Sequence, residues 1–180
     1  MFALREIIKE KLYALAGVDG TDVFHKCFQQ WQDIAHLHEF FSIYPASLRH
    51  YGMGKKAAIK KILREGEQFE NDLLTIARDE EADCSLDKLI FTPLHLKDDF
   101  ETPFLRSKAY GQKQTPTFLR LYAIRLHDGC YIIVGGLIKT TRSLQESEEG
   151  KAMLVKLNEV ADFLRQNNYE DTYNISELIL

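Results

Sequence analysis

The chain has 180 residues, 45% of them hydrophobic, and a formal net charge of −4. That is enough apolar material for one ordinary core, or for a core with a helical extension. No run of about 18 consecutive apolar residues occurs, which argues against a membrane span, so no membrane partner is expected. Cys27, Cys84 and Cys130 are odd in number and far apart. That excludes a C-x-x-C metal or redox motif and fits the reduced thiols of a cytoplasmic protein.

At the N-terminus, Leu4, Ile7, Ile8, Leu12 and Leu15 fit one face of a first helix, which Gly17 would end. Charges interleaved with these apolar residues make it an amphipathic helix and not a signal peptide. A second helix is expected from Asp19 or Thr21, with Phe24, Cys27, Phe28, Trp31, Ile34 and Ala35 as its buried stripe. His36 and His38 stand two apart, point to different sides of a helix, and so do not share a metal. Residues 40–51 are aromatic-rich and interrupted by Pro45, which should break or kink a helix. They form a packing corner or cover a partner surface, and the sequence leaves both open.

Gly52-Met53-Gly54 punctuates the chain. Beyond it Ile59, Ile62, Phe69, Leu73 and Ile76 keep helical phase, predicting a long helix over about 55–80. Its start is basic (Lys55, Lys56, Lys60, Lys61, Arg64) and its end acidic (Asp79, Glu80, Glu81), opposite to what the helix macrodipole favours. Either this is a solvated face whose lysines pair with Glu65 and Glu67, or the lysines serve a phosphate backbone. Around Pro93, two short apolar pieces are compatible with one edge strand or two stubs. A further short strand or helical turn falls at 104–110.

Two β-forming runs, 117–127 and 130–140, meet at Asp128-Gly129, which predicts a hairpin with a two-residue type I′ turn. Alternation puts Leu119, Leu121 and Ala123 on one face, with Phe118, Arg120, Tyr122 and Ile124 on the other. The second run is apolar on both faces and belongs in the sheet centre. Gly135-Gly136 predicts a bulge or a close backbone approach. Ser143 and Glu146 have capping-box spacing, opening a helix to about 165 with Met153, Leu157, Val160, Ala161 and Leu164 buried. The apolar tail, 174–180, is expected to add an edge strand or dock on a partner. The predicted class is α+β: a helical N-terminal half, then a small antiparallel sheet with a C-terminal helix. Residues 1–51 form a helical extension and 52–180 the main unit.

No metal cluster, phosphate-cradling glycine loop or nucleophile elbow is present, and no cofactor is expected. Cys130 and His127 would make a nucleophile and base across the turn, yet a cysteine opening an apolar strand is ordinarily a small core residue. Charge is more informative. Between 102 and 142, Arg106, Lys108, Lys113, Arg120, Arg125, Lys139 and Arg142 stand against Asp128 alone, a stretch of +6 in a chain whose remainder is −10. Such a band can hold a polyanion, or its bases can pair with the acidic helices. RNA cleavage through the 2′-OH needs a base for that hydroxyl, positive charge on the phosphorane and an acid for the 5′ oxygen. Arg120 and Tyr122 share a strand face, and Lys139 on the partner strand meets them if the register is right.

Arg120-Leu121-Tyr122 on one strand, Gly136-Leu137-Ile138-Lys139-Thr140-Thr141 ending the next, and a following helix together resemble the C-terminal half of the RelE/HigB-like toxin superfamily, over roughly residues 89–164. The resemblance implies a metal-independent, ribosome-dependent mRNA endoribonuclease, held inactive by a cognate antitoxin that is a helix-turn-helix protein. By position it makes Arg120 the phosphate-stabilising group, with Lys139, Tyr122 and Arg142 as further catalytic residues. Arg106, Lys108, Lys113 and Arg125 would contact RNA. The chain departs from the family in being long and acidic, and Thr140 stands where a second basic residue is usual. A non-enzymatic protein- or RNA-interaction module on a toxin-like fold is the alternative.

Overall fold

Two strands, β1 (Ala3–Ile8) and β2 (Leu12–Ala16), open the chain where helical spacing predicts a helix. The computed structural model describes residues 2–81, 85–111 and 117–180. Lys113 and Cys84 lie outside them. The two strands pair antiparallel through a turn in which Glu10 adopts φ +58°. β2 then pairs in parallel with Tyr131–Ile133. A strand enclosed by neighbours on both edges and covered on both faces reads as a continuous apolar run. Leu-Tyr-Ala-Leu-Ala suits that role as well as it suits a helix, and the distant partner strand decides.

Three helices follow. Asp22 caps α1 (Val23–Gln32) by accepting the His25 N–H at 2.9 Å. The expected single helix breaks at Asp33, which ends α1 and caps α2 (Ile34–Ile43). Ile34 and Ala35 are exposed as a result. The helical run breaks at Tyr44, as Pro45 leads one to expect, and Pro45 itself starts α3 (Pro45–Tyr51), where its missing N–H is no loss. The long helix α4 (Lys55–Arg78) stands as predicted, with Ile59, Ile62, Phe69 and Leu73 buried. A single turn, α5 (Leu86–Leu89), leads to the edge strand β3 (Phe91–Pro93). Then come β4 (Leu105–Tyr110), β5 (Leu119–Arg125), β6 (Tyr131–Ile138) and α6 (Glu148–Gln166).

Among the described residues the strands form one six-stranded sheet in the order β1-β2-β6-β5-β4-β3. The sheet is mixed, because β2 and β6 run parallel, and it includes strands from both ends of the chain. The expected helices-first order and purely antiparallel sheet are therefore corrected to an α+β fold whose sheet begins at the N-terminus. Residues 1–51 carry two strands as well as α1–α3. Leu12, Phe24, Phe28, Trp31, Leu37 and Phe41 from that stretch share one core cluster with α4 and β5.

Other details also depart from local signals. The β5–β6 turn is not type I′. Gly129 alone has positive φ (+86°), its N–H reaches the Leu126 carbonyl at 3.0 Å, and the Leu126 N–H bonds the Cys130 carbonyl at 2.9 Å. That is a three-residue loop with the glycine in the left-handed position. The cap of α6 is Ser147, whose hydroxyl accepts the Gly150 N–H at 3.0 Å, and not Ser143. The tail forms a short 3-10 helix over Asn174–Leu178 and then covers the β1 edge, with the Leu180 N–H on the Leu4 carbonyl at 2.9 Å.

The two sheet faces are sealed differently. α1, α2 and α4 cover one, packing on Leu119, Leu121, Ala123 and Ile133. α6 and the C-terminal turn cover the other, packing on Tyr122, Ile124, Ile132 and Val134. β6 carries a bulge: Tyr122 pairs with Gly135 but Ala123 with Ile133, leaving Val134 surplus. The glycine pair is needed for close packing. A Cβ on Gly135 would stand 2.7 Å from the Met153 Cε of α6, and one on Gly136 would stand 2.8 Å from the Trp31 ring of α1.

Candidate functional site

The bulge decides what happens at the end of β6. Side chains on a strand alternate between faces, so one extra residue reverses the phase of all that follow. Before it, Ile132 faces α6 and Ile133 faces α1. After it, Gly135 faces α6, Gly136 faces α1, and Leu137 packs with the α6 cluster. Lys139 continues that phase and comes to the α6 side. There it meets the outward residues of the neighbouring strands: Tyr110 lies opposite Arg120, Arg120 opposite Leu137, and Lys108 opposite Tyr122. α6 packs on β5 and β6, and at this end of the β4–β5–β6 face Lys108, Tyr110 and Lys139 are partly exposed.

Arg120 is the centre of the cluster. It is only 6% exposed, and its guanidinium carbon sits 4.1 Å from the centre of the Tyr110 ring. Its Nη1 donates to the Leu119 carbonyl at 2.8 Å and to the Thr117 carbonyl and hydroxyl, each at 3.3 Å. Among the described residues no buried side-chain nitrogen or oxygen lacks a partner, so the Nε and Nη2 donors, which carry no such bond, keep access to solvent. Among the described residues no acid forms an ion pair with Arg120, although the nearby Glu65 carboxylate favours its charge. Lys108 also lies near the Tyr110 ring, 5.8 Å from its centre. Burial, then the adjacent cations Arg120 and Lys108, hold the Lys139 ammonium below the ordinary lysine value. Burial likewise lowers Arg120 and pushes the Tyr122 hydroxyl up to about 12, against the pull of Arg120. Lys139 lines a cavity with Tyr122 and Leu137, and Arg120 a separate one with Tyr110 and Phe69; Glu146 offsets part of the repulsion on Lys139, and like charges held this close favour an added anion.

A buried carboxylate supports this arrangement from the opposite face. Glu65 of α4 is 0% exposed. It accepts the Phe118 N–H at 3.0 Å, the Leu119 N–H at 2.9 Å and the Thr117 hydroxyl, and that same hydroxyl receives Arg120. Gly111 leaves room for it, since a Cβ there would stand 2.2 Å from Glu65 Oε1. Tyr51 of α3 closes the end of the sheet, donating to the Lys139 carbonyl at 2.8 Å. Nothing local marks Glu65 or Tyr51 in the sequence. Glu65 reads there as one more charge on a solvated helix, and only its helical phase with Ile62 and Phe69 hints at burial.

The structure thus brings together Arg120, Lys139, Tyr122 and Lys108. It sets the other predicted bases apart. Arg142 is exposed in the turn after Lys139, and Arg106 is engaged with Asn158 of α6 at 2.6 Å. Arg125 is committed elsewhere: its Nε and Nη2 grip both Asp87 oxygens at 2.8 Å, and its Nη1 holds the Phe100 carbonyl at 3.1 Å. Tyr131 donates to the same Asp87. Arg125→Met should therefore destabilise the fold by about 2–4 kcal/mol, as expected when one partner of a largely buried pair is removed. Urea titration checks this, and an unchanged midpoint would show that Arg125 is not held for stability. Cys130 is 2% exposed, and burial, then Asp128, raises its thiol well above the ordinary value. A thiol held protonated in the core is no nucleophile.

No protein-family model, curated protein or solved structure matches the chain.

Proposed function

We propose that the cluster of Lys108, Arg120 and Lys139 binds an RNA phosphodiester, and that the chain is the ribosome-dependent mRNA endoribonuclease of a toxin–antitoxin pair. The carrying observation is that Lys139 neighbours Arg120 and Lys108 on one sheet face, with no ion-paired acid on them among the described residues. In this reading the free edge of Arg120 faces the non-bridging oxygens and neutralises charge as the phosphorane forms. The 2′ oxygen attacks phosphorus, the bond to the 5′ oxygen breaks, and a cyclic phosphate and a 5′ hydroxyl result. Lys139, with its lowered proton affinity, takes the 2′ proton in its neutral form. Tyr122, held protonated, supplies the proton to the 5′ oxygen. Arg142 adds charge at the rim. A helix-turn-helix antitoxin that covers the cluster would hold the enzyme inactive, in the cytoplasm.

One observation favours the non-enzymatic alternative, an RNA-interaction module. Among the described residues, no histidine or carboxylate bonds to any member of the cluster, so the base role falls on a lysine. Expression without a partner, with mRNA cleavage followed in a translating extract, separates the two readings. Cleavage lost in Lys139→Met supports the enzyme. Binding without cleavage supports the module, and neither activity in the folded protein removes both.

The pH dependence has a definite sign. RNA needs the charged ammonium, so affinity falls as pH rises, beginning below the ordinary lysine range. Stability should follow the opposite trend. Its Lys139 value lies below that of the unfolded chain, so between the two values the unfolded state holds more protons and stability rises with pH. Lys139→Met should flatten both curves.

A further inference from the structure

The first three turns of α4 carry a second cationic surface that the sheet cluster does not use. Lys56, Lys60 and Arg64 recur every fourth residue and are all exposed. They form one straight row along the helix, about 6 Å apart in rise. Of the two acids that the sequence offers them, Glu65 turns inward and is consumed by Thr117, Phe118 and Leu119, and Glu67 is exposed. Among the described residues none of the three is in an ion pair. The helix has no acidic residue in its first turn and no side-chain cap, so the row gains nothing from the macrodipole and is disfavoured by it. Arg49 is a further exposed cation in the last turn of α3. Tyr51 ties α3 to Lys139.

We propose that this row docks on the phosphate backbone of a double-helical RNA stem, as a contact separate from the sheet cluster. It rests on the RNA reading of that cluster for the kind of nucleic acid. The choice of a stem over a single strand comes from the side chains themselves. Single strands are held by bases stacking on aromatic rings, and no aromatic residue lies between Lys56 and Glu67. A bare line of cations on a rigid helix reads backbone charge and shape and leaves the bases alone. The protein thereby gains a bipartite footprint, with the row holding a folded RNA while the sheet end takes an unpaired segment.

Counterion release provides the test. Binding of a labelled RNA hairpin is followed by anisotropy at several salt concentrations for wild type, for K56Q/K60Q/R64Q, and for K9Q/K26Q/K97Q, which removes the same charge elsewhere. The row variant should lower the slope of log affinity against log salt by roughly 2–3, about one released counterion per lost phosphate contact, while the control changes it little. Cleavage or binding of a short unpaired RNA should be the same in all three. An unchanged slope in the row variant, or an equal fall in the control, overturns the stem contact. Wild type that binds the unpaired RNA but not the hairpin removes the row alone, whereas wild type that binds neither removes the sheet reading with it.

Discussion

Arg120→Met should reduce RNA binding and cleavage by about a hundredfold or more, the loss typical of removing one preorganised donor from a charge-stabilising site, while the protein stays folded. The two effects separate because of where Arg120 sits. Its charge is largely buried and acts on Lys139, so replacing it with an apolar chain of similar length relieves desolvation and that repulsion even as it forfeits the Glu65 attraction, the Tyr110 stack and the Leu119 bond. Net stability should move by no more than about 1 kcal/mol, since these terms oppose each other. Sites that hold like charges together commonly trade stability for activity in this way. Arg120→Lys is also expected to fail, because an ammonium cannot both bond the Leu119 carbonyl and present a planar edge to a phosphate. Full activity in Arg120→Met would end the phosphodiester reading.

Glu65→Ala should be the most destabilising single change in the molecule. Three buried donors lose their acceptor together: the backbone N–H groups of Phe118 and Leu119 and the Thr117 hydroxyl. At about 1–3 kcal/mol for each unsatisfied group, the expected loss is about 3–9 kcal/mol, a large share of the total stability of a domain this size. Glu65→Gln keeps one accepting oxygen and should lose about half as much. Gly111→Ala, which drives a methyl group into the carboxylate, should mimic the alanine variant. Denaturant midpoints rank the series, and a loss below about 1 kcal/mol in Glu65→Ala would show that water replaces the carboxylate.

The parts of this structure that local pattern reveals are those whose periodicity and partners agree. α4 and α6 keep their stripes over many turns, and the Leu119–Arg125 strand shows its two faces by simple alternation from Leu119 onward. Phe118, just ahead of that strand, escapes the alternation and joins the α1–α4 core. The N-terminal strands were hidden for a different reason. Leu4, Ile8, Leu12 and Leu15 satisfy a helix as readily as a strand, and the choice is made by Tyr131–Ile133, more than a hundred residues away. In the site, Arg120 and Tyr122 were legible as a pair on one strand face. Whether Lys139 joined them depended on counting one surplus residue, Val134, which the Gly135-Gly136 pair signals without fixing its phase. Glu65 was misleading because a helix start crowded with lysines suggests a surface ion pair.

That surplus residue gives β6 a peculiar grammar. Upstream of Val134 the strand is written in one frame and downstream in the other, so deletion of that one residue would merge the two, setting Gly135 directly after Ile133 with their partners Tyr122 and Ala123 unchanged. Lys139 would keep its place, whereas one residue inserted between Gly136 and Lys139 would drive it toward Phe118 and Phe41 and put Ile138 among the cations. Length after the bulge is therefore tightly constrained, while the bulge itself can be lost without moving the cluster.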